Sequence, residues 1–191
     1  MDKPNRRVQR TRQLLSDALI ELIQEKNYAS ITVQDIIDRA NVGRSTFYAH
    51  YRDKEDLLLS SFESVIDALG QHMEHSPQSG QLLFPSLELF RHVQEQYELY
   101  QALVWGRGAD LLFKNGERYL SERIEKQLDA LVKDRPKPDV PTPVLANFLA
   151  GAFLTLLKWW LDNKMIYSPE RMDEMFQQLT WPGVARALGD A

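Results

Sequence analysis

Thr32-Val33-Gln34-Asp35-Ile36-Ile37-Asp38-Arg39-Ala40-Asn41-Val42-Gly43-Arg44-Ser45-Thr46-Phe47-Tyr48-Ala49-His50-Tyr51 holds two short helical patterns separated by a turn signal. Thr32 suits a helix N-cap, and Asp35, three residues on, stands in the capping-box position. Val33, Ile36, Ile37 and Ala40 recur at helical spacing on one face. Asn41-Val42-Gly43 supplies a turn, because Asn and Gly both tolerate left-handed backbone. Arg44 to Tyr51 then reads as a second short helix. Helix, tight turn and helix make a helix-turn-helix, placed at about 31–50.

The directions of the side chains suit DNA. Val42, Phe47 and Tyr51 can pack inward against Ile36, Ile37 and the preceding helix. With Phe47 inward, helical geometry turns Ser45, Tyr48 and Ala49 outward, flanked by Arg44 and Thr46. Arg44, at the helix N-terminus, can fork onto a guanine edge, while Ser45 and Thr46 can donate to bases or phosphates. Tyr48 and His50 offer backbone donors, Lys54 stands where a phosphate would approach the next helix, and Thr32 adds a hydroxyl beside free amides. The expected DNA-binding set is therefore Thr32, Arg44, Ser45, Thr46, Tyr48, His50 and Lys54. The alternative is a three-helix packing unit without nucleic acid, which gives Arg44, Tyr48, His50 and Lys54 no reason to share a surface.

Outward from this unit the pattern is helical almost everywhere. Leu15, Ala18, Leu19, Leu22 and Ile23 form the stripe of a first helix ending near Lys26-Asn27. Asp53 caps a fourth helix running to about Met73, with Glu55 and Asp56 in its first turn. Ser76 to Gly80 reads as a loop. Helices are expected at about 85–101, 108–114 and 116–133, with Gly106-Arg107-Gly108 a helix break. Four prolines between Arg135 and Pro143 make an extended connection. Helices at about 144–163 and 169–179 follow, the last one capped by Ser168-Pro169. Trp181-Pro182-Gly183 should interrupt it before a short final helix at 184–188. No internal repeat is visible.

With 191 residues there is room for a substantial core, and the composition, 43% hydrophobic and 26% charged, is that of a globular protein. The absence of cysteine excludes disulfide scaffolds, thiol catalysis and zinc-cysteine sites. A net charge of −4 argues at first against nucleic acid, yet the charge is divided: residues 1–58 carry +1 and residues 59–191 carry −5. Affinity for DNA would then rest on a few placed contacts and on dimerisation, with little help from a general basic field. The run Lys3, Arg6, Arg7, Arg10 and Arg12 is either a solvated tail or an arm toward DNA. No signal peptide opens the chain. The apolar stretch Val144 to Leu161 is broken by Asn147, Thr155 and Lys158 and reads as a buried helix. A cytoplasmic protein without a membrane partner is expected.

Other chemistries find little. His72 and His75, near Glu74, have possible metal-ligand spacing but read as a solvated helix end, so no metal and no cofactor is expected. No nucleophile elbow is present, and no catalytic residue is assigned. Phe84, Phe90, Tyr97, Tyr100, Trp105, Phe113 and Tyr119 could line a pocket for a flat organic ligand, each alone being as well placed in a core. The candidate ligand-binding residues are Phe62, Ile66, Tyr97, Tyr100, Trp105 and Phe113. Trp159 and Trp160 read as core and interface. Isologous packing of the last two long helices would give a four-helix dimer interface, with Ala150, Phe153, Leu157, Met172 and Phe176 as candidate residues.

Tyr28 to Leu58 resembles the DNA-binding module of the TetR family of bacterial transcription regulators. The matching residues are Tyr28, Ile31-Thr32-Val33, Asp35-Ile36, Ala40-Asn41-Val42-Gly43, Ser45 to Tyr51, and Asp53-Lys54-Glu55-Asp56-Leu57-Leu58. Tyr51 stands where the family usually has Phe, and Ile37 and Asn41 where it often has Ala. Phe148 to Phe153, Lys158 to Leu161 and Ser168-Pro169-Glu170 resemble a C-terminal subfamily found with such regulators. The resemblance implies an all-α homodimer: a three-helix DNA-binding domain at 1–53 (the family-type domain extending to about 68), then a helical effector-binding and dimerisation domain at 54–191. It implies a ligand-released repressor whose reading helices lie ~34–36 Å apart on a near-palindromic operator. The alternative is a co-activator that acts through another regulatory protein and has no operator of its own.

Overall fold

The computed structural model describes residues 6–71, 85–105, 109–133 and 138–189, without the side chains of 71, 105 and 109–112. Among the described residues there are nine α-helices and no strand: α1 (Arg6–Glu25), α2 (Val33–Ala40), α3 (Arg44–Tyr48), α4 (Lys54–Gln71), α5 (Ser86–Glu95), α6 (Tyr97–Trp105), α7 (Ala109–Val132), α8 (Thr142–Asp162) and α9 (Pro169–Leu188). A single 3-10 turn, Tyr28–Ser30, joins α1 to α2. The chain divides into two compact units, one of residues up to Ser64 plus 97–112, the other of 65–96 and 113 onward. The division falls inside α4, eleven residues beyond the expected 53/54 boundary, and the first unit also recruits α6.

The first unit is built on one apolar cluster. Leu15, Ala18, Leu19, Leu22 and Ile23 of α1 meet Ile36, Ile37 and Ala40 of α2, Phe47 of α3, and Leu57 and Leu58 of α4. Leu99 and Leu103 of α6 belong to the same cluster. This explains why the single helix expected at 85–101 is divided at Gln96. The stripe Leu89, Phe90 and Val93 is buried in one unit, and Leu99 and Leu103 in the other.

In the second unit, Phe90, Phe153, Trp160 and Phe176 form an aromatic core. Phe90 lies 5.0 Å from Phe153 and 5.4 Å from Trp160, and Phe153 lies 5.6 Å from Phe176, between ring centroids. Ser86 of α5 donates to the Asp173 carboxylate of α9, and Arg91 pairs with Glu170 at 2.9 Å. Asp67 of α4 accepts from the Tyr119 hydroxyl at 2.6 Å and from Arg123 at 3.0 Å. Phe90 and Tyr119 are thus packing residues.

Two expected helix breaks do not occur. α7 runs through Asn115-Gly116, because Gly116 lies on the buried face that continues through Leu120, Ile124 and Leu128. α9 runs through Pro182, because buried Phe176, Thr180, Val184 and Leu188 keep one apolar stripe on both sides of it. The carbonyl that Pro182 leaves without a donor belongs to Gln178, which is exposed to water. α3 ends at Tyr48, short of the expected Tyr51. The loop at 76–80, Gly106-Arg107-Gly108 and residues 135–137 of the proline-rich connection lie outside the described residues, as do His72, His75 and Phe84.

The candidate dimer residues need correction. Ala150, Phe153, Leu157, Met172 and Phe176 are all buried within the protomer, Met172 at 0% exposure, so they are spent on its own core. The surface of α8 is instead Val144, Phe148, Thr155 and Trp159, with half-buried Gly151 and Ala152 between them. Leu179, Pro182 and Gly183 face solvent on α9. A helix carries two opposite stripes, and sequence periodicity picks out the more apolar one, which here belongs to the core. By length and mean hydropathy of 1.5, α8 would suffice to cross a membrane, but half of its apolar window is buried in the unit.

Candidate nucleic-acid interface

The interface is built from the start of α2 to the start of α4. At Thr32 the capping box is closed: its backbone N–H donates to Asp35 Oδ2 at 2.7 Å, and the Asp35 N–H donates to Thr32 Oγ1 at 3.1 Å. The Thr32 hydroxyl also donates to Asp35 Oδ2, and Lys26 pairs with the same oxygen at 3.0 Å. These bonds, from Thr32 first and Lys26 second, hold the Asp35 carboxyl down to about 2. Asn41 takes the left-handed conformation at φ 52°, closing α2 so that the chain can turn into α3. Arg39 forks onto Glu25 at 2.6 Å and Glu21 at 3.0 Å, clamping α2 to the outer face of α1 and lowering the Glu25 pKa.

α3 is held by one residue. Phe47 is fully buried, at 0% exposure, with Tyr48 edge-on at 5.3 Å and Tyr51 tilted at 6.0 Å. On the opposite side, Arg44, Ser45, Tyr48 and Ala49 are exposed, and Thr46 and His50 are half-buried at the margin. Tyr48 is 52% exposed, an unusual expenditure of a large ring on water. Among the described residues Arg44 makes no ion pair, so its fork is available for a ligand.

Two expected site residues are already engaged. Thr32 spends its hydroxyl proton on Asp35. Lys54 donates to the carbonyls of Tyr28 and Ile31, at 2.9 and 2.7 Å, which makes its expected role as a free phosphate contact a correction. The basic run is not a tail or an arm where it is described: Arg6 to Arg12 form the first turns of α1. Arg12 lies over the Tyr51 ring at 5.9 Å, a contact that residue spacing did not suggest. The Arg39 clamp was also missed, although Glu21 and Glu25, one turn apart on the polar face of α1, were its visible signal.

The chain belongs to the TetR family of bacterial regulatory proteins. Residues 15–60 match the family described as "Bacterial regulatory proteins, tetR family", and residues 85–180 match a "Transcriptional regulator C-terminal region". TetR-family members are DNA-binding transcription regulators that act as dimers, and the described helices of this chain have their architecture. Among curated relatives, the chain is 40% identical over 70 residues to the HTH-type regulator YxbF of Bacillus subtilis, covering 36% of this chain and 18% of that one. It is 27% identical over 128 residues to DhaS of Lactococcus lactis, named as a dhaKLM operon transcriptional activator, covering 66% and 63%. A TetR regulator structure from Streptococcus agalactiae 2603V aligns with a TM-score of 0.58 at 28% identity, covering 92% of this chain and 96% of that one.

The candidate ligand residues of this TetR-family chain fall in different units. Phe62 packs against the apolar cluster of the first unit, which gives it a packing role in place of the expected pocket one. Tyr97 and Tyr100 are in the first unit: the Tyr97 hydroxyl accepts from Gln101 at 2.7 Å, and burial pushes the Tyr100 hydroxyl above its usual range. Ile66, buried, and Phe113, half-buried, are in the second unit, and the Trp105 side chain lies outside the described residues. A groove of about 450 Å³ in the second unit runs past Lys114, Glu117, Ser121, Glu125 and Asn147, and none of the five candidates with described side chains lines it.

Proposed function

We propose that the protein is a homodimeric transcription repressor of the cytoplasm that reads a near-palindromic operator through α3 and releases it on binding a small organic effector. One observation carries the reading. Arg44, Ser45, Tyr48 and Ala49 stand exposed together on one side of a short helix whose other side is anchored by fully buried Phe47. A helix fixed on one face and polar on the other, with an arginine at its N-terminus that makes no ion pair among the described residues, suits the major groove. Thr46 and His50 flank it, and Tyr48 serves the backbone.

The second copy docks on the outer stripe of α8 and α9: Val144, Phe148, Trp159 and Leu179, the last 76% exposed. Ala152 and Gly183 let a neighbouring helix approach; a Cβ placed at Gly183 would meet nothing within 4 Å. These stripes on two long helices make an isologous four-helix contact.

Selection of bound sequences from a random DNA library tests the reading. The expected product is a two-fold-related pair of half-sites with centres ~34–36 Å apart, about one helical turn. Recovery of no sequence, together with capture of a second regulator by the purified protein, would favour the co-activator reading.

A further inference from the structure

Lys54 is the first residue of α4, where a cation meets the positive end of the helix dipole. Glu55 and Asp56 in the same turn suit that end; Lys54 does not, so it needs a partner off the helix. Its ammonium donates to Ile31 O at 2.7 Å, Tyr28 O at 2.9 Å and Ala29 O at 3.3 Å. An ammonium has three protons, so three carbonyls take its whole donor capacity. It also lies 4.6 Å from the centroid of the Tyr28 ring, whose negative face attracts a cation. Tyr28 is buried, and its hydroxyl has no partner among the described residues, so packing and the cation hold this ring.

The three carbonyls belong to the turn that joins α1 to α2. Asn27 caps the turn, Ile31 ends it, and Thr32 follows as the N-cap of α2. We infer that Lys54 is a positioning residue of the DNA-reading unit: it ties the α1–α2 turn to the start of α4, fixes where α2 begins, and makes no phosphate contact of its own. A lysine swung out to a phosphate would leave all three carbonyls without this donor. The inference rests on the reading of α2 and α3 as a DNA interface, but the tie itself is independent of DNA.

Lys54→Met keeps the stem and removes the ammonium. In the full chain, hydrogen exchange at the amides of residues 31–36 should rise while that of α8 stays unchanged, and Tm should fall by about 3–10 °C. Binding to the selected operator should weaken by a similar factor at every salt concentration, leaving the log–log salt slope unchanged. Lys54→Arg should recover part of the exchange protection. A slope shallower by about 1.8, one phosphate per protomer, would overturn the inference, and so would unchanged exchange at 31–36. If Lys54→Met does not fold, the wild-type Lys54 ammonium nitrogen resonance decides. It should stay in place when operator is added, and a shift would overturn the inference. A wild type that binds no DNA would sink the functional reading, while the exchange measurement would still test the tie.

Discussion

Phe148→Glu should dissociate the dimer while leaving the protomer folded. Phe148 is 57% exposed in the protomer, so its ring contributes little to the core there. A Phe side chain presents on the order of 150–250 Å², leaving roughly 100 Å² to be covered by a second copy. At ~25 cal/mol per Å² this is ~2.5 kcal/mol per protomer, and symmetry doubles it to ~5 kcal/mol. That corresponds to a dimer Kd raised by roughly three to four orders of magnitude, and two desolvated carboxylates act in the same direction. Sedimentation equilibrium over a range of concentrations measures the Kd, and a melting curve like that of the wild type shows that the fold is intact. An unchanged Kd would refute the assignment of the outer α8 stripe to the dimer.

Leu103→Ala should destabilise the DNA-reading unit by ~2–5 kcal/mol, since Leu103 is 3% exposed within its cluster. Thermal or denaturant unfolding followed by hydrogen exchange at α1 and α2 would show it, and unchanged protection there would exclude α6 from that core. The Asp35 carboxyl, held at about 2 against an ordinary 3.8, binds fewer protons folded than unfolded. Its stabilising effect is therefore complete above pH 3.8 and lost as pH falls toward about 2. The Tm gap between wild type and Asp35→Asn should be constant near neutrality and close over that acid range; a gap independent of pH would refute the capping-box account.

The reading unit was legible because its signals are local. Thr32 and Asp35 three residues apart, the Asn41-Val42-Gly43 turn and the Phe47-against-Tyr48 alternation are set by neighbours in sequence, and the structure builds them as helix, left-handed residue and helix. What failed depended on partners far along the chain. Lys54 looked like a free cation because its carbonyl partners lie 23 to 26 residues earlier. Pro182 looked like a breaker because propensity was read without the buried stripe that overrides it. The dimer residues were chosen on the more apolar stripe of α8 and α9, which periodicity identifies but cannot assign to inside or outside. Leu99 and Leu103 read as part of a sensing domain because they follow the first loop, yet they are buried with α1 and α2.

Fluorescence anisotropy of the full chain with the selected operator, comparing wild type, Arg44→Ala and Tyr48→Ala, asks whether the exposed face of α3 reads DNA. Wild-type binding should fall steeply with salt. Arg44→Ala should lose ~1–3 kcal/mol per half-site and relax preference at one base pair, while Tyr48→Ala should weaken binding without changing which sequence is preferred. Absence of wild-type binding at low salt would contradict the claim, as would an Arg44→Ala protein with unchanged affinity and base preference.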